Sequence, residues 1–227
     1  GYGSYDTYNS VPAVPDVRGN GDSDYYGGGL LGRYDFKGDR SGNFYIEGTG
    51  RAGNISNDYS SNDLGSVPGI TTSYNSSSMY YGATLGGGYL WNLDKTITFD
   101  AYVRGLWAQQ AGDSVTLSSG ERVNFDDTTS LRTQVGGTLT FDISEWVDGY
   151  AGLAWEYEFD GQANANTGGY SIVAPSLKGN TGIGEIGVSI IPTLHGDLSH
   201  MRILVGVEGY MGKREGVTGT GRISYTF

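Results

Sequence analysis

The sequence contains no cysteine, two histidines and five prolines among 227 residues. Without cysteine it can form neither a disulfide framework nor a thiolate metal site. Cations are also scarce, because 14 Lys and Arg against 25 Asp and Glu give a net charge of −11. No basic cluster occurs, which excludes a nucleic-acid partner. No run of about 18 apolar residues occurs, so the sequence encodes no transmembrane helix.

Glycine and tyrosine are abundant, with 40 and 18 residues. The glycines follow no Gly-X-Y period, which excludes collagen, and an aromatic content of 13% argues against disorder. Sheets with bulges and tight turns accommodate this much glycine. Because no linker divides the chain, we expect a single all-β domain over residues 1–227.

Alternation with period two is the main structural signal. From Val217 to Phe227, the odd positions carry apolar, aromatic or glycine residues, and the even positions carry polar ones. Because alternate residues of a strand lie on opposite faces, this pattern predicts a strand with one apolar face. Nine such segments, each of roughly 9 to 13 residues, have the length of a tilted membrane-spanning strand. They are 26–36, 44–52, 81–91, 97–107, 131–142, 151–159, 182–190, 201–211 and 217–227.

The charges of these segments all share the face opposite the apolar stripe. A soluble sandwich or a lipocalin-like barrel also alternates, but its core needs large side chains throughout. The stripes here mix Gly and Ala with larger apolar residues and end in aromatics, which is typical of a lipid-facing wall with interfacial girdles. We therefore predict an antiparallel up-and-down transmembrane β-barrel with a charged lumen. The predicted lumen-facing charges are Arg33, Glu47, Arg51, Asp100, Arg104, Arg132, Glu156, Glu158, Glu185, Arg202, Glu208 and Arg222.

Short and long connections alternate along the chain. The segments 37–42, 92–95 and 143–148 are short, whereas 56–78, 108–129 and 160–181 are long and polar. Outer-membrane barrels have short periplasmic turns and long external loops, so we expect a periplasmic C-terminus and extracellular long loops. By the same count, residues 1–8 end one further strand and 9–23 form an external loop. About ten strands are then visible.

Three segments, 216–227, 148–161 and 24–34, together resemble the C-terminal β-domains of bacterial autotransporters, the type V secretion system. The resemblance implies a Gram-negative outer-membrane barrel that exports or displays an N-terminal passenger at the cell surface. It also implies twelve strands and a helix in the lumen. We therefore expect about two more strands, the helix and the passenger to precede Gly1.

The chain end resembles the signal that the outer-membrane assembly machinery reads, with Ile223, Tyr225 and Phe227 at alternate positions. The glycine usual in that signal lies one place away, at Gly221. The resemblance thus implies three partners: membrane lipid, the assembly machinery and the chain's own passenger. The alternative is a stand-alone barrel that acts as a small porin or as an adhesin through its loops.

Other motifs do not indicate catalysis. Residues 182–187 match a dinucleotide-binding fingerprint, but they lie within an alternating segment with no helix after it. His195 and His200 fall in a predicted periplasmic turn without catalytic partners. Residues 19–24 are acidic but lack the full EF-hand pattern. We therefore expect no catalytic residue, no metal and no cofactor.

Overall fold

The structure is a computed structural model that describes residues 2–9, 17–62, 71–173, 176–191 and 201–225. Within those ranges, no helix is long and apolar enough to span a membrane. The described chain is built from fourteen strands. They are β1 Tyr2–Asn9, β2 Val17–Asp35, β3 Gly42–Ser61, β4 Thr72–Asn92, β5 Ile97–Gln110, β6 Asp113–Thr116, β7 Arg122–Phe125, β8 Thr128–Ser144, β9 Val147–Glu158, β10 Asn164–Thr167, β11 Tyr170–Val173, β12 Gly179–Ile190, β13 Met201–Gly212 and β14 Gly216–Tyr225.

Ten strands form one antiparallel sheet in the order β1-β2-β3-β4-β5-β8-β9-β12-β13-β14. Every neighbouring pair is antiparallel, and a register shift occurs in the β8–β9 pair between Asp142 and Ser144. The sheet curls into a half-barrel. The predicted all-β, up-and-down antiparallel fold is confirmed.

The other four strands form a separate sheet in the order β11-β10-β7-β6, which we call the small sheet. Its hairpins lie in the segments 108–129 and 160–181, which we predicted as loops. Val115, Val123 and Ala165 are its buried apolar residues. The prediction of loop structure is therefore wrong for much of these two segments.

Three strands also extend further than predicted. β3 has 20 residues and continues to Ser61, and β4 has 21 residues and begins at Thr72, inside the predicted loop 56–78. β2 begins at Val17, within the predicted loop 9–23. At about 3.3 Å per residue, β3 is roughly 66 Å long, about twice what a membrane-spanning strand requires. The outer parts of β2, β3 and β4, paired with one another and with β1, therefore project beyond β5, which ends opposite Tyr80.

The two faces of the large sheet have opposite chemistry, and the burial is inverted relative to a soluble protein. Leu30, Leu85 and Leu153 are 85%, 74% and 77% exposed, whereas Glu156 and Glu158 are only 2% and 5% exposed. An apolar surface this large requires an apolar environment outside it. The sheet thus turns its apolar side chains outward and covers its charged ones.

Candidate functional site

The predicted lumen charges all lie on one face of the large sheet. Residues opposite each other in register share a face, and one row runs from Arg33 through Glu47, Gly86, Arg104, Gln134 and Glu156 across six neighbouring strands. The registers of the other strands place the remaining predicted charges on this same face. We call it the concave face, because side chains from strands two places apart meet across it.

The first group of contacts on the concave face, the β3–β5 cluster, joins β2, β3 and β5. Arg104 Nε lies 2.9 Å from Glu47 Oε1, and Arg33 Nη1 lies 4.0 Å from Glu47 Oε2. Tyr45 donates its hydroxyl to Asp100, 2.9 Å from both carboxylate oxygens. Arg104 thus pairs with Glu47, two strands away, and not with Asp100 on its own strand.

These contacts cross β4 above two glycines. A Cβ at Gly86 would lie 2.7 Å from Arg104 Cγ, and a Cβ at Gly88 would lie 2.7 Å from the Tyr45 hydroxyl oxygen. Any larger residue would occupy the space through which the two side chains pass. Glycine at these positions therefore allows β3 and β5 to be bonded through their side chains although β4 separates their backbones.

The second group, the β8–β9 cluster, contains the two buried charged side chains of the described residues, Glu156 and Glu158. Glu156 Oε2 lies 3.5 Å from Arg132 Nη1, and Glu156 Oε1 lies 3.1 Å from Arg214 Nη2. Glu158 lies 3.6 Å from Arg132 and accepts hydrogen bonds from Ser130 Oγ and from the backbone N–H of Leu131 at 2.9 Å. Two buried carboxylates are thus neutralised by two guanidinium groups.

Arg214 was missed by the sequence reasoning. It lies in the β13–β14 connection, outside every alternating segment, and its guanidinium carbon lies 4.5 Å from the centre of the Tyr210 ring. The Arg214 backbone N–H also donates to Thr181 Oγ1 at 3.2 Å. The alternation pattern does not assign a loop residue to either face of the sheet. The fold of the β13–β14 connection therefore decides that the Arg214 side chain lies on the concave face.

The remaining predicted lumen-facing charges form fewer hydrogen bonds and ion pairs. Glu185 accepts a hydrogen bond from Thr138 across β9 at 2.8 Å, and Arg202 lies 3.5 Å from Asp148 rather than beside Glu208. In the part of the chain that the structure describes, Arg51, Glu208 and Arg222 form no ion pair. No group of three or more His, Asp or Glu side chains among the described residues is arranged to hold a metal ion.

The opposite, convex face carries aromatic clusters towards both ends of the strands. Near one end, the rings of Phe44 and Tyr89 lie 4.6 Å apart, and Trp91 continues the cluster at 4.6 Å from Tyr89. Near the other end, Tyr157 lies 6.2 Å from Trp155 and 4.9 Å from Phe159. Two separated aromatic clusters with an apolar band between them are typical of a wall that meets two membrane interfaces.

The residues of the predicted assembly signal are only partly described. Ile223 lies on the convex face and is 72% exposed. The backbone of Tyr225 pairs with Met201, and Phe227 lies outside the described residues. Residues 182–187 lie inside β12 as predicted, and His195 and His200 lie outside the described ranges.

The sequence was compared with known protein families and structures. Residues 1–196 match the family described as "Autotransporter beta-domain". The chain belongs to the autotransporter β-domain family. This autotransporter β-domain is therefore an outer-membrane translocator barrel that serves passenger export, as the resemblance implied.

A solved structure supports the fold of this autotransporter β-domain. The transport unit of the autotransporter AIDA-I from Escherichia coli is 14% identical in sequence, and the similarity covers 100% of this chain and 88% of that chain with a TM-score of 0.57. At this identity the likeness shows the shared fold. A comparison with curated proteins found no matching sequence.

Proposed function

We propose that the concave face lines the water-filled lumen of a closed barrel through which the passenger is exported, and that the convex face contacts lipid. The inverted burial carries this proposal. Charged side chains such as Glu156 are enclosed and paired, while leucines on the convex face are exposed. A lumen lined by ion pairs has water at its wall and little net charge locally, so it can accommodate polypeptides of varied sequence.

The free edges of the sheet are β14 on one side and β1 with residues 25–35 of β2 on the other, and both have to be paired in the assembled protein. An open edge in lipid leaves backbone N–H and C=O groups without partners, at a cost of several kcal/mol for each group. We therefore propose that the assembled barrel is closed. The curl of the ten-stranded sheet supports this, since a half-barrel brings its two edges towards each other.

We propose a periplasmic C-terminus and extracellular β3–β4, β6–β7 and β10–β11 hairpins. The connections β2–β3, β4–β5 and β8–β9 lie at one end of the sheet and are short. The long hairpins lie at the other end. Short periplasmic turns and long external loops are the rule for such barrels.

We further propose that the assembly machinery reads Ile223, Tyr225 and Phe227, and that the barrel anchors the passenger without catalysing a reaction. The exposure of Ile223 on the convex face supports the first point, because a machinery within the membrane reaches that face directly. The engagement of the buried carboxylates in ion pairs supports the second, because a paired carboxylate is not free to act as a base.

Deletion of Phe227 in the full-length protein tests this function. We expect the variant to be synthesised normally but to lose the heat-modifiable band of a folded barrel and the surface exposure of its passenger. The control is Thr226→Ala, which changes the neighbouring residue and should assemble normally. Unchanged insertion without Phe227 would refute the assembly signal, and recovery of the unaltered protein outside the outer membrane would refute the translocator function.

A further inference from the structure

The small sheet is an extension of the barrel wall. Its order β6-β7-β10-β11 repeats the order β5-β8-β9-β12 of the strands to which it is connected. Each of the four wall strands is thus followed or preceded in the chain by one strand of the small sheet, and the described breaks in the ladder are residues 111–112, 126–127 and 159–163. The first two breaks lie opposite each other, between the pairs Gln110–Thr128 and Asp113–Phe125, and the Asp126–Asn164 hydrogen bond places the third beside them. This part of the wall can therefore bend as one unit.

The bend is held by polar contacts at two of the breaks. Asp127 accepts hydrogen bonds from the backbone N–H of Gly112 at 2.8 Å and from Gln109 Nε2 at 3.1 Å. The Asp126 N–H donates to the Asn164 carbonyl at 2.9 Å. These contacts connect the two hairpins to each other and to the top of β5.

Beyond the bend, the small sheet leans against the concave side of the projecting β3–β4 hairpin. Tyr74 shares the concave face with Gly86, because β4 keeps one register with β3 throughout. The Tyr74 ring lies 5.4 Å from Tyr59 on β3 and 5.6 Å from Phe125 on the small sheet. Tyr74, Leu117 and Phe125 pack against the buried residues of the small sheet.

The other face of the small sheet is polar. Ser114 Oγ donates to Asn124 Oδ1 at 2.7 Å, and Asn124 Nδ2 donates to Asn166 Oδ1 at 3.1 Å. This ladder and the backbone pairing connect β6, β7 and β10 without β4, so these strands can move together as one unit. The contact with β4 is not covalent. Besides the Tyr74 packing it consists of hydrogen bonds, such as those from the Ala111 N–H to the Met79 carbonyl at 2.9 Å and from the Ser77 N–H to Asp113 Oδ2 at 3.1 Å.

We infer that the small sheet is a hinged lid on the external mouth of the lumen. It closes by resting on the concave side of the β3–β4 hairpin through the Tyr74 contact, and it opens at the three described breaks when a polypeptide passes. This inference rests on the proposed lumen and orientation. It goes beyond them by assigning a gate to one part of the wall.

A disulfide across the contact tests the lid. The Ser118 N–H donates to the Ser73 carbonyl at 3.0 Å, and Ser118 Oγ accepts from the Ser73 N–H at 3.0 Å, so the two residues are adjacent. The variant carries Ser73→Cys and Ser118→Cys in the full-length protein, and residues 1–227 contain no other thiol. The control carries Thr98→Cys and Thr140→Cys, which are register partners in the wall below the bend.

Two measurements give the result. When cells grown with dithiothreitol are treated with a mild oxidant, we expect rapid crosslinking between positions 73 and 118 in the assembled barrel; absence of crosslinking would overturn the closed lid. When the disulfide forms during export, we expect the barrel to assemble but external protease to find little passenger, and dithiothreitol to restore display.

Normal passenger display with the crosslink between positions 73 and 118 formed would overturn the lid. So would an equal loss of display in the control crosslinked between positions 98 and 140, because the effect would then belong to any crosslink in the barrel. Failure of the proposed function gives a different result, since the unaltered protein itself would then show no passenger at the surface.

Discussion

Replacing Glu156 with Gln is the most direct test of the concave-face ion pairs. Glu156 is almost completely buried and its two carboxylate oxygens face different cations, Arg132 at 3.5 Å and Arg214 at 3.1 Å. Glutamine keeps the shape of the side chain and removes its charge. The substitution therefore leaves one guanidinium without its anion and reduces the neutralisation of the other.

The expected loss of stability follows from the burial of the three groups. Removing one partner of a buried ion pair costs about 3–5 kcal/mol. Two features reduce this value here: Arg132 keeps Glu158, and the Arg214 side chain is 29% exposed, so water screens part of its charge. We expect Glu156→Gln to lower the free energy of unfolding by about 2–3 kcal/mol.

Denaturant unfolding of the purified full-length protein in detergent, followed by tryptophan fluorescence, measures this loss. The matched control is Glu208→Gln on the same face, because Glu208 forms no ion pair among the described residues. We expect the control to change stability by less than about 1 kcal/mol. Equal losses of stability in the two variants would show that the ion pairs of the β8–β9 cluster do not stabilise the protein more than an unpaired carboxylate on the same face.

Two further predictions concern the two faces of the wall. Gly88→Val places a Cβ 2.5 Å from a backbone oxygen of the neighbouring strand, so we expect it to lower the free energy of unfolding by about 2–3 kcal/mol in the same assay. The control is Gly50→Val, which should be tolerated because nothing lies within 4 Å of a Cβ at that position. Equal effects of the two substitutions would contradict the crossing geometry. Leu153→Arg on the convex face should cost about 2–4 kcal/mol and reduce the folded fraction in lipid vesicles, whereas Thr220→Arg on the concave face should insert normally. A tolerated arginine at position 153 would show that this face does not contact lipid.

The sequence predicted the membrane-spanning part of the wall because each strand there separates two different environments. In β8, for example, Leu131, Val135 and Leu139 alternate with polar residues, and the structure places them on the convex face. Beyond the membrane neither face of a strand meets lipid, so apolar alternation no longer distinguishes the two faces. Residues 56–61 consist largely of Ser, Asn and Asp and were predicted as part of a loop, although they continue β3.

The sequence also predicted which face each charge occupies but not its partner. Arg104 and Asp100 are four residues apart on one strand and share a face, which made them an obvious pair. In the structure Arg104 reaches Glu47, 57 positions away, because Gly86 leaves the space between them empty. A partner on a distant strand depends on the registers of two strand pairs, and a single strand's pattern contains no information on either.

The glycines connect these observations to the shape of the wall. A flat sheet keeps strands two places apart at about 9–10 Å, too far for most side chains to meet directly. Here Tyr45 bonds Asp100 across Gly88, and Glu185 bonds Thr138 across Gly152. Each such bond is shorter when the sheet curves towards it, so bonds on the concave face and glycines beneath them favour the same curvature. The polar groups that make the inner surface wet therefore also favour the curl that a closed barrel requires.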